Sequence, residues 1–174
     1  EYLAEVLALV TPVADAESVP LREASGRTLA EPVLARADVP TFANSAMDGF
    51  AVRAADLHPG VVLRVVADVP AGSGLDPALG AGDAVRIMSG AAMPTQADAV
   101  VPVEQTSQEP GGVRIDEPVE RGRHVRAAGE DVRAGDVVLD AGTRLGARTL
   151  AVAAAAGRAQ VSCVRRPWVG VAAT

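Results

Sequence analysis

The sequence predicts a mixed α+β chain organised in two lobes. Three observations carry that reading: apolar residues at helical spacing near the N-terminus, a series of short apolar runs cut by Gly, Pro and Asp between residues 47 and 131, and an Ala-rich stretch ending at Gly157. Leu3, Val6, Leu7 and Val10 fall on one face of a helix over 1–10, with Glu1 and Glu5 off it and Pro12 to end it. Ser18–Leu21 reads as extended. Arg22–Leu29 reads as a short helix interrupted by Gly26, and Pro32–Val39 as a strand. The segment Val39–Ser45 has loop composition and marks the first lobe boundary.

Strands are expected at Phe50–Val52, Val61–Val69, Ala84–Met88, Ala99–Val103, Val113–Ile115 and Val137–Leu139. Turns fall at Gly72–Gly74, Gly80–Gly82 and Pro110–Gly112, the last a hairpin tip. Arg148–Ala156 is a helix that Gly157 terminates. Ala159–Val164 is extended, Arg165–Pro167 is a linker, and Trp168–Ala172 opens a further strand. A buried strand needs neighbours on both sides, so a strand this close to residue 174 implies a piece of a longer protein, or else pairing back into the β-rich lobe.

Composition narrows the function classes. The 174 residues carry 16 basic and 22 acidic side chains, a net charge of −6, and every basic residue is Arg. Aromatics are only 2 %, so Ala, Val and Leu must build the core. An acidic chain almost without aromatics lacks the basic patch and stacking residues of a nucleic-acid binder, and it is a poor partner for an anionic membrane. The single cysteine, Cys163, has no partner for an internal disulfide, and no Cys/His pair has zinc-site spacing. The longest apolar run, Leu150–Ala156, falls far short of the roughly 20 residues of a membrane span. A cytoplasmic setting is expected.

Three segments combine residue types suited to chemistry. Pro40–Phe50 packs a hydroxyl, Asp48 and a glycine beside a Pro-containing loop, which can hold a carboxylate rigidly for a metal or an oxyanion site. An Asp-Gly pair ahead of a strand is also ordinary turn chemistry, with Gly at positive φ and Asp capping its own backbone. Met88–Pro94 leaves a strand through small residues. Its backbone amides around Gly90 can cradle an anion and Ser89 adds a hydroxyl, or the segment is only a tight connection. In Arg123–Asp131, Arg126 precedes Asp131 by five residues: the carboxylate can take Mg²⁺ together with Asp48, and the guanidinium can grip a phosphate or other oxyanion, unless the two form a plain surface ion pair. His58, His124 and Cys163 receive no role, and Glu104 reads as a solvated strand end.

In this order, PTFANSAMDGFAVRAAD (40–56), VRIMSGAAMPTQADAVVPVEQT (85–106) and VRAAGEDVRAGDVVLDAGTRLGARTLAVAAAAG (125–157) resemble the N-terminal half of the molybdopterin molybdenumtransferases, the bacterial MoeA family, which is also similar to the gephyrin E domain. SVPLREASGRTLAEPVLARADVP (18–40) and the N-terminal helix match as well, so the resemblance spans nearly the whole chain. It implies a discontinuous, elongated dimerisation lobe from 1–43 and 132–165, an inserted barrel-like β-rich lobe at 44–131, and at 166–174 the start of a pterin-binding α/β domain. It implies a Mg²⁺-dependent enzyme that takes molybdate and adenylylated molybdopterin, releases the adenylate and works as a homodimer. Carried over by motif, Asp48 and Asp131 are similar to acidic residues of the active-site cleft. Ser89 stands where the family usually has Thr, Arg126 matches a basic position ahead of Gly-Glu-Asp, and Gln96-Ala97 replaces a Gly-Ala pair.

Catalytic roles are therefore expected of Asp48, Asp131 and Ser89, substrate binding of Arg126 and Gly90, and metal binding of Asp48 and Asp131. A chain without the pterin-binding domain is expected to be inactive by itself. The competing reading is a non-catalytic dimerisation or docking module using the helices at 1–10 and 148–156. A stand-alone metal or oxyanion carrier has only two plausible carboxylate ligands to support it.

Overall fold

The computed structural model describes residues 2–9, 11 and 13–172. The chain divides into two compact units, Glu1–Ala37 with Val132–Thr174, and Asp38–Asp131. Among the described residues, no helix is long and apolar enough to cross a membrane.

The first unit begins with α1 (Tyr2–Ala8), none of whose side chains is buried. Of the expected helix over 1–10, Glu1, Val10 and the terminating Pro12 lie outside the described residues. Strand β1 (Ala16–Pro20) pairs antiparallel with the unit's last strand (Gln160–Val164, β12 in chain order). In the same unit β2 (Val33–Leu34) pairs with Val137–Leu139 (β11) across a bulge. The expected strand over 32–39 is thus only two residues long.

No α-helix forms over Arg22–Leu29. A single 3₁₀ turn at Leu21–Glu23 gives way to Gly26 at φ +74°, after which Thr28 bridges Arg144 and Leu29 bridges Cys163. Long-range backbone pairing satisfies the N–H and C=O groups that a helix would have used. Helix α2 (Ala147–Ala155) ends as expected. Gly157, at φ +78°, donates to the Ala154 carbonyl (3.0 Å) while Arg158 donates to Ala153 (3.0 Å), the paired bonds of a Schellman cap. Val19, Leu29, Val33, Leu145, Val161 and Cys163 are the main members of this unit's core.

Trp168–Ala172, expected as a buried strand, is not one. Among the described residues it pairs with no strand, and its side chains stand in solvent, Trp168 at 99 % and Val171 at 93 %.

The second unit is built on one six-stranded sheet. Its members in chain order are β4 (Gly49–Val52), β5 (Val62–Val69), β6 (Asp83–Ile87), β7 (Ala99–Pro102), β8 (Thr106–Glu109) and β9 (Gly112–Ile115). They lie in the order β7-β4-β6-β5-β9-β8, and all pairs are antiparallel except β5 with β6. The sheet curls into a half-barrel. Both faces are apolar because the central strands alternate between two clusters: Phe50, Val52, Ala84 and Val101 join Leu63, Val113 and Ile115 on one face, while Ala51, Val85, Ile87 and Val100 join Val69 and Leu79 on the other. Leu63 and Val69 are an even number of residues apart yet face opposite ways. The irregularity between Val65 and Ala67 accounts for it, since one extra residue flips everything beyond it.

Candidate functional site

Two-residue strands bring the three chemistry-bearing segments together. β3 (Asn44–Ser45) pairs antiparallel with β10 (Val125–Arg126), and on its other side Asn44 bridges Ala92. Bonds from Ser45 N–H to the Ala91 carbonyl (3.0 Å), Gly90 N–H to Ser45 (2.8 Å), Met93 N–H to Ala43 (3.0 Å) and Ala46 N–H to His124 (2.9 Å) complete the patch. The loop before it is held the same way: Gly129 donates to Pro40 (2.9 Å) and Asp131 to Val39 (3.0 Å), across a cis Val39–Pro40 bond. Segments 40–48, 88–93 and 122–131 thus form a single layer with β3 in the middle.

Asp48 sits where this layer enters β4. Its Oδ1 accepts from both the Ser89 backbone N–H (2.7 Å) and the Ser89 hydroxyl (2.8 Å), so the carboxylate bonds across to Ser89 instead of capping its own turn. The Ser89 backbone and hydroxyl bonds, with a smaller contribution from the charge of Arg86, hold the Asp48 carboxyl below its ordinary value. Asp48 is ionised, exposed and fixed in place. Gly49 does not adopt the positive φ expected of an Asp-Gly turn. It is glycine because a Cβ there would run into the Val101 carbonyl and lie 3.0 Å from Pro102 Cα, in the strand packed against it.

The turn is set from below by Ser45, a buried hydroxyl that donates to the Met47 carbonyl (2.6 Å) and accepts from its N–H (3.3 Å). Asn44, also buried, donates from Nδ2 to Phe42 (3.2 Å). The sequence alone gives neither residue a site role of its own. Their signal was burial, which a polar loop composition conceals.

Across the layer, Arg126 Nη2 donates to Asp131 Oδ2 (2.6 Å) and Nε reaches Glu130 Oε1 (3.4 Å). Asp131, then Glu130, raise the Arg126 pKa, so its cation is secured. Glu130 also accepts from the Ala127 N–H (3.0 Å), closing the loop on itself. The structure therefore joins Asp48 to Ser89 and Arg126 to Asp131, and no hydrogen bond or ion pair links the two pairs directly.

The expected amide cradle at 88–94 is absent. The N–H groups of Ser89, Gly90, Ala91 and Met93 are all committed, to Asp48, Ser45, Met88 and Ala43. Gly90 instead supplies the left-handed corner (φ +78°) that lets Ser89 face Asp48. Gln96, at the position where the family resemblance has glycine, ties this loop down by accepting the Leu79 N–H (2.7 Å). Glu104 is exposed, in a 3₁₀ turn that follows β7.

Among the described residues, no three His, Cys, Asp or Glu side chains cluster as a protein-only metal cage. Asp48 and Asp131 each commit one oxygen to these bonds, leaving the other for a hard cation that retains several waters.

The family model for the MoeA N-terminal region, domains I and II, matches residues 1–157. The chain belongs to the MoeA family. It is 41 % identical over 159 residues to the molybdopterin molybdenumtransferase of Haemophilus influenzae, covering 91 % of this chain and 39 % of that protein. Over 177 residues it is 40 % identical to molybdopterin molybdenumtransferase 2 of Mycobacterium tuberculosis, covering 99 % and 43 %. The crystal structure of the molybdopterin biosynthesis moeA protein from Pyrococcus horikoshii OT3 superposes with a TM-score of 0.85 at 35 % identity, over 92 % of this chain and 44 % of that one. This MoeA-family chain spans about two fifths of the length of those relatives.

Proposed function

We propose that this chain supplies the N-terminal part of a molybdopterin molybdenumtransferase, which in molybdenum cofactor biosynthesis inserts molybdate into adenylylated molybdopterin with release of AMP. The observation that carries the reading is the single layer joining segments 40–48, 88–93 and 122–131, which gathers a depressed-pKa carboxylate, a hydroxyl and a secured guanidinium. The names of the relatives supply the reaction class.

In this reading Asp48 and Asp131 hold Mg²⁺ through their uncommitted oxygens, and the cation supplies charge neutralisation for phosphate and molybdate oxygens. Ser89 keeps Asp48 ionised and aimed. Arg126 presents its remaining N–H donors to the substrate anion, and the small residue at Gly90 gives that anion room. The pterin site lies in the remainder of the family's length, so turnover belongs to the intact protein. The discontinuous pairing of 1–43 with 132–165 around an inserted 44–131 lobe is part of the same proposal, as are a cytoplasmic setting and a homodimer; the uncovered apolar face of α1 supports an interface between copies.

The test is D48A and D131A in the intact transferase. Each is expected to lower Mg²⁺-dependent molybdate insertion by roughly 100-fold or more, the usual effect of deleting a preorganised charge-stabilising group, without unfolding the lobe. Unchanged turnover at saturating molybdate overturns the assignment.

A further inference from the structure

Strands β5 and β6 are parallel neighbours, so the chain must travel back along the sheet between them, through residues 70–82. This connection contains no helix or strand, yet its second half is firmly held. Leu79 is buried in the core cluster that also takes Ile87, Ala91 and the partly buried Met93. Its N–H donates to the Gln96 side chain (2.7 Å). Three residues earlier, Asp76 accepts twice from Thr95, from the backbone N–H (2.9 Å) and from the hydroxyl (2.7 Å). Residues 76–79 are thus laced to residues 95–96.

The pairing of Asp76 with Thr95 repeats that of Asp48 with Ser89. In both, a carboxylate carried by another segment takes the N–H and the hydroxyl of one exposed residue, and in both those bonds hold the carboxyl below its ordinary value. Ser89 and Thr95 are the two ends of a single segment. Pro94 has no N–H, so Thr95 offers the first donor after it. The rest of the segment holds to β3 by few bonds: Gly90 to Ser45, Ser45 to Ala91, Met93 to Ala43, and the isolated Asn44–Ala92 bridge. So short a ladder specifies register weakly, and a slip of one residue would turn Ser89 away from Asp48. Anchors at both ends remove that freedom, with Asp48 gripping the first residue and Asp76 the last.

We propose that Asp76 is a positioning residue for the Asp48–Ser89 pair: by holding Thr95 at the far end of the segment, it keeps Ser89 in register with Asp48. The inference rests on the transferase reading above for what Asp48 then does, and it extends that reading by making the β5–β6 connection part of the site's support. Asp76 acts through Thr95 and the intervening chain, and its contribution is geometric.

The test reads the Ser89–Asp48 hydrogen bond itself, as the scalar coupling between the Ser89 amide ¹⁵N and the Asp48 carboxyl ¹³C in the 174-residue chain. The coupling is expected in the parent chain and lost in D76A. It is weakened in T95A, which keeps only the backbone bond to Asp76, and retained in T95S, which keeps both donors. T95A stays informative even where D76A loosens the whole connection. D116A removes an exposed carboxylate bonded instead to Ser107 and Arg114, and it leaves the coupling unchanged. In the intact transferase D76A is expected to lower turnover about tenfold, the low end for a residue that orients a site ligand. A coupling unmoved in either D76A or T95A, a coupling lost in T95S, or D76A turnover equal to the parent's would each overturn the positioning role. The two readings fail separately. Coupling lost in D76A with D48A turnover intact sinks the transferase assignment alone, whereas coupling unmoved in D76A with turnover lost in D48A sinks the role of Asp76 alone.

Discussion

Substituting Gly49 by alanine tests whether the glycine after Asp48 is there for space or for conformation. Its backbone is not in the left-handed region, so an added methyl meets no φ penalty. The cost comes from the Val101 carbonyl group of β7: an ideal Cβ would overlap its oxygen and lie 2.9 Å from its carbon and 3.0 Å from Pro102 Cα. All three obstacles are backbone, which cannot rotate aside as a side chain would. β4 and β7 must separate by the better part of an ångström beside the Phe50–Val101 pairing. Overpacking of this kind costs about 1–3 kcal/mol, and a backbone obstacle puts G49A near 3 kcal/mol. With a urea m-value of about 2 kcal/mol/M, the unfolding midpoint should fall by about 1.5 M. G74A is the control, because its Cβ meets nothing within 4 Å and its φ is not positive, and it should stay within about 0.5 kcal/mol of the parent. A G49A midpoint indistinguishable from that of G74A would refute the close-approach argument.

The other predictions concern one titration and one cap. In S89A the Asp48 carboxyl keeps the backbone bond from residue 89 but loses the hydroxyl bond, so its pKa should rise part of the way toward the ordinary value of 3.8, read by carboxyl ¹³C shift against pH. Because a depressed folded-state pKa adds stability that is present above the unfolded value and is lost as pH falls through the folded one, S89A should carry less of that stability at neutral pH, lose less of it on acidification and complete the loss at a higher pH than the parent; an unmoved titration would remove Ser89 from the Asp48 environment. G157A forces alanine into φ +78° with its Cβ 3.3 Å from Arg36 Cβ, which should cost about 1–2 kcal/mol and lower Tm by several degrees; an unchanged Tm would mean that the helix end relaxes into another cap.

What could be read from the sequence depended on where the information lay. The strands at 50–52, 62–69, 83–87 and 113–115 were legible because each is an apolar run between turn residues, and α2 because Gly157 closes an Ala-rich stretch. β8 was invisible: Thr-Ser-Gln-Glu has no apolar alternation, and its place at the sheet edge requires none. The helix expected at 22–29 failed because tertiary pairing to residues 143–145 and 162–163 outweighed a weak local preference. Trp168–Ala172 shows the converse, a run with strand composition and no strand beside it. In the site, the sequence offered Asp48, Ser89, Arg126 and Asp131 individually as candidates, with their roles coming from the family resemblance. It could not say that Asp48 answers to Ser89 and Asp131 to Arg126, since that depends on two-residue ladders with no local signature.

Those short ladders also explain why the site needs all three segments at once. Asp48 is exposed, and an exposed carboxylate ordinarily samples many rotamers and titrates near its usual value. Here it is held by a serine 41 residues away, which is itself placed because Gly90 donates to Ser45 and Ser45 fixes the Met47 turn. Arg126 is placed by the opposite edge of the same two residues, Asn44–Ser45. Removing the buried Ser45 hydroxyl would therefore disturb Asp48 through the Met47 turn, while the Gly90 corner, held by the Ser45 backbone carbonyl, would remain. The acidic and basic elements of the layer are preorganised by a neutral, buried pair between them, so the carboxylate and the guanidinium are positioned by backbone hydrogen bonds before any anion or cation arrives.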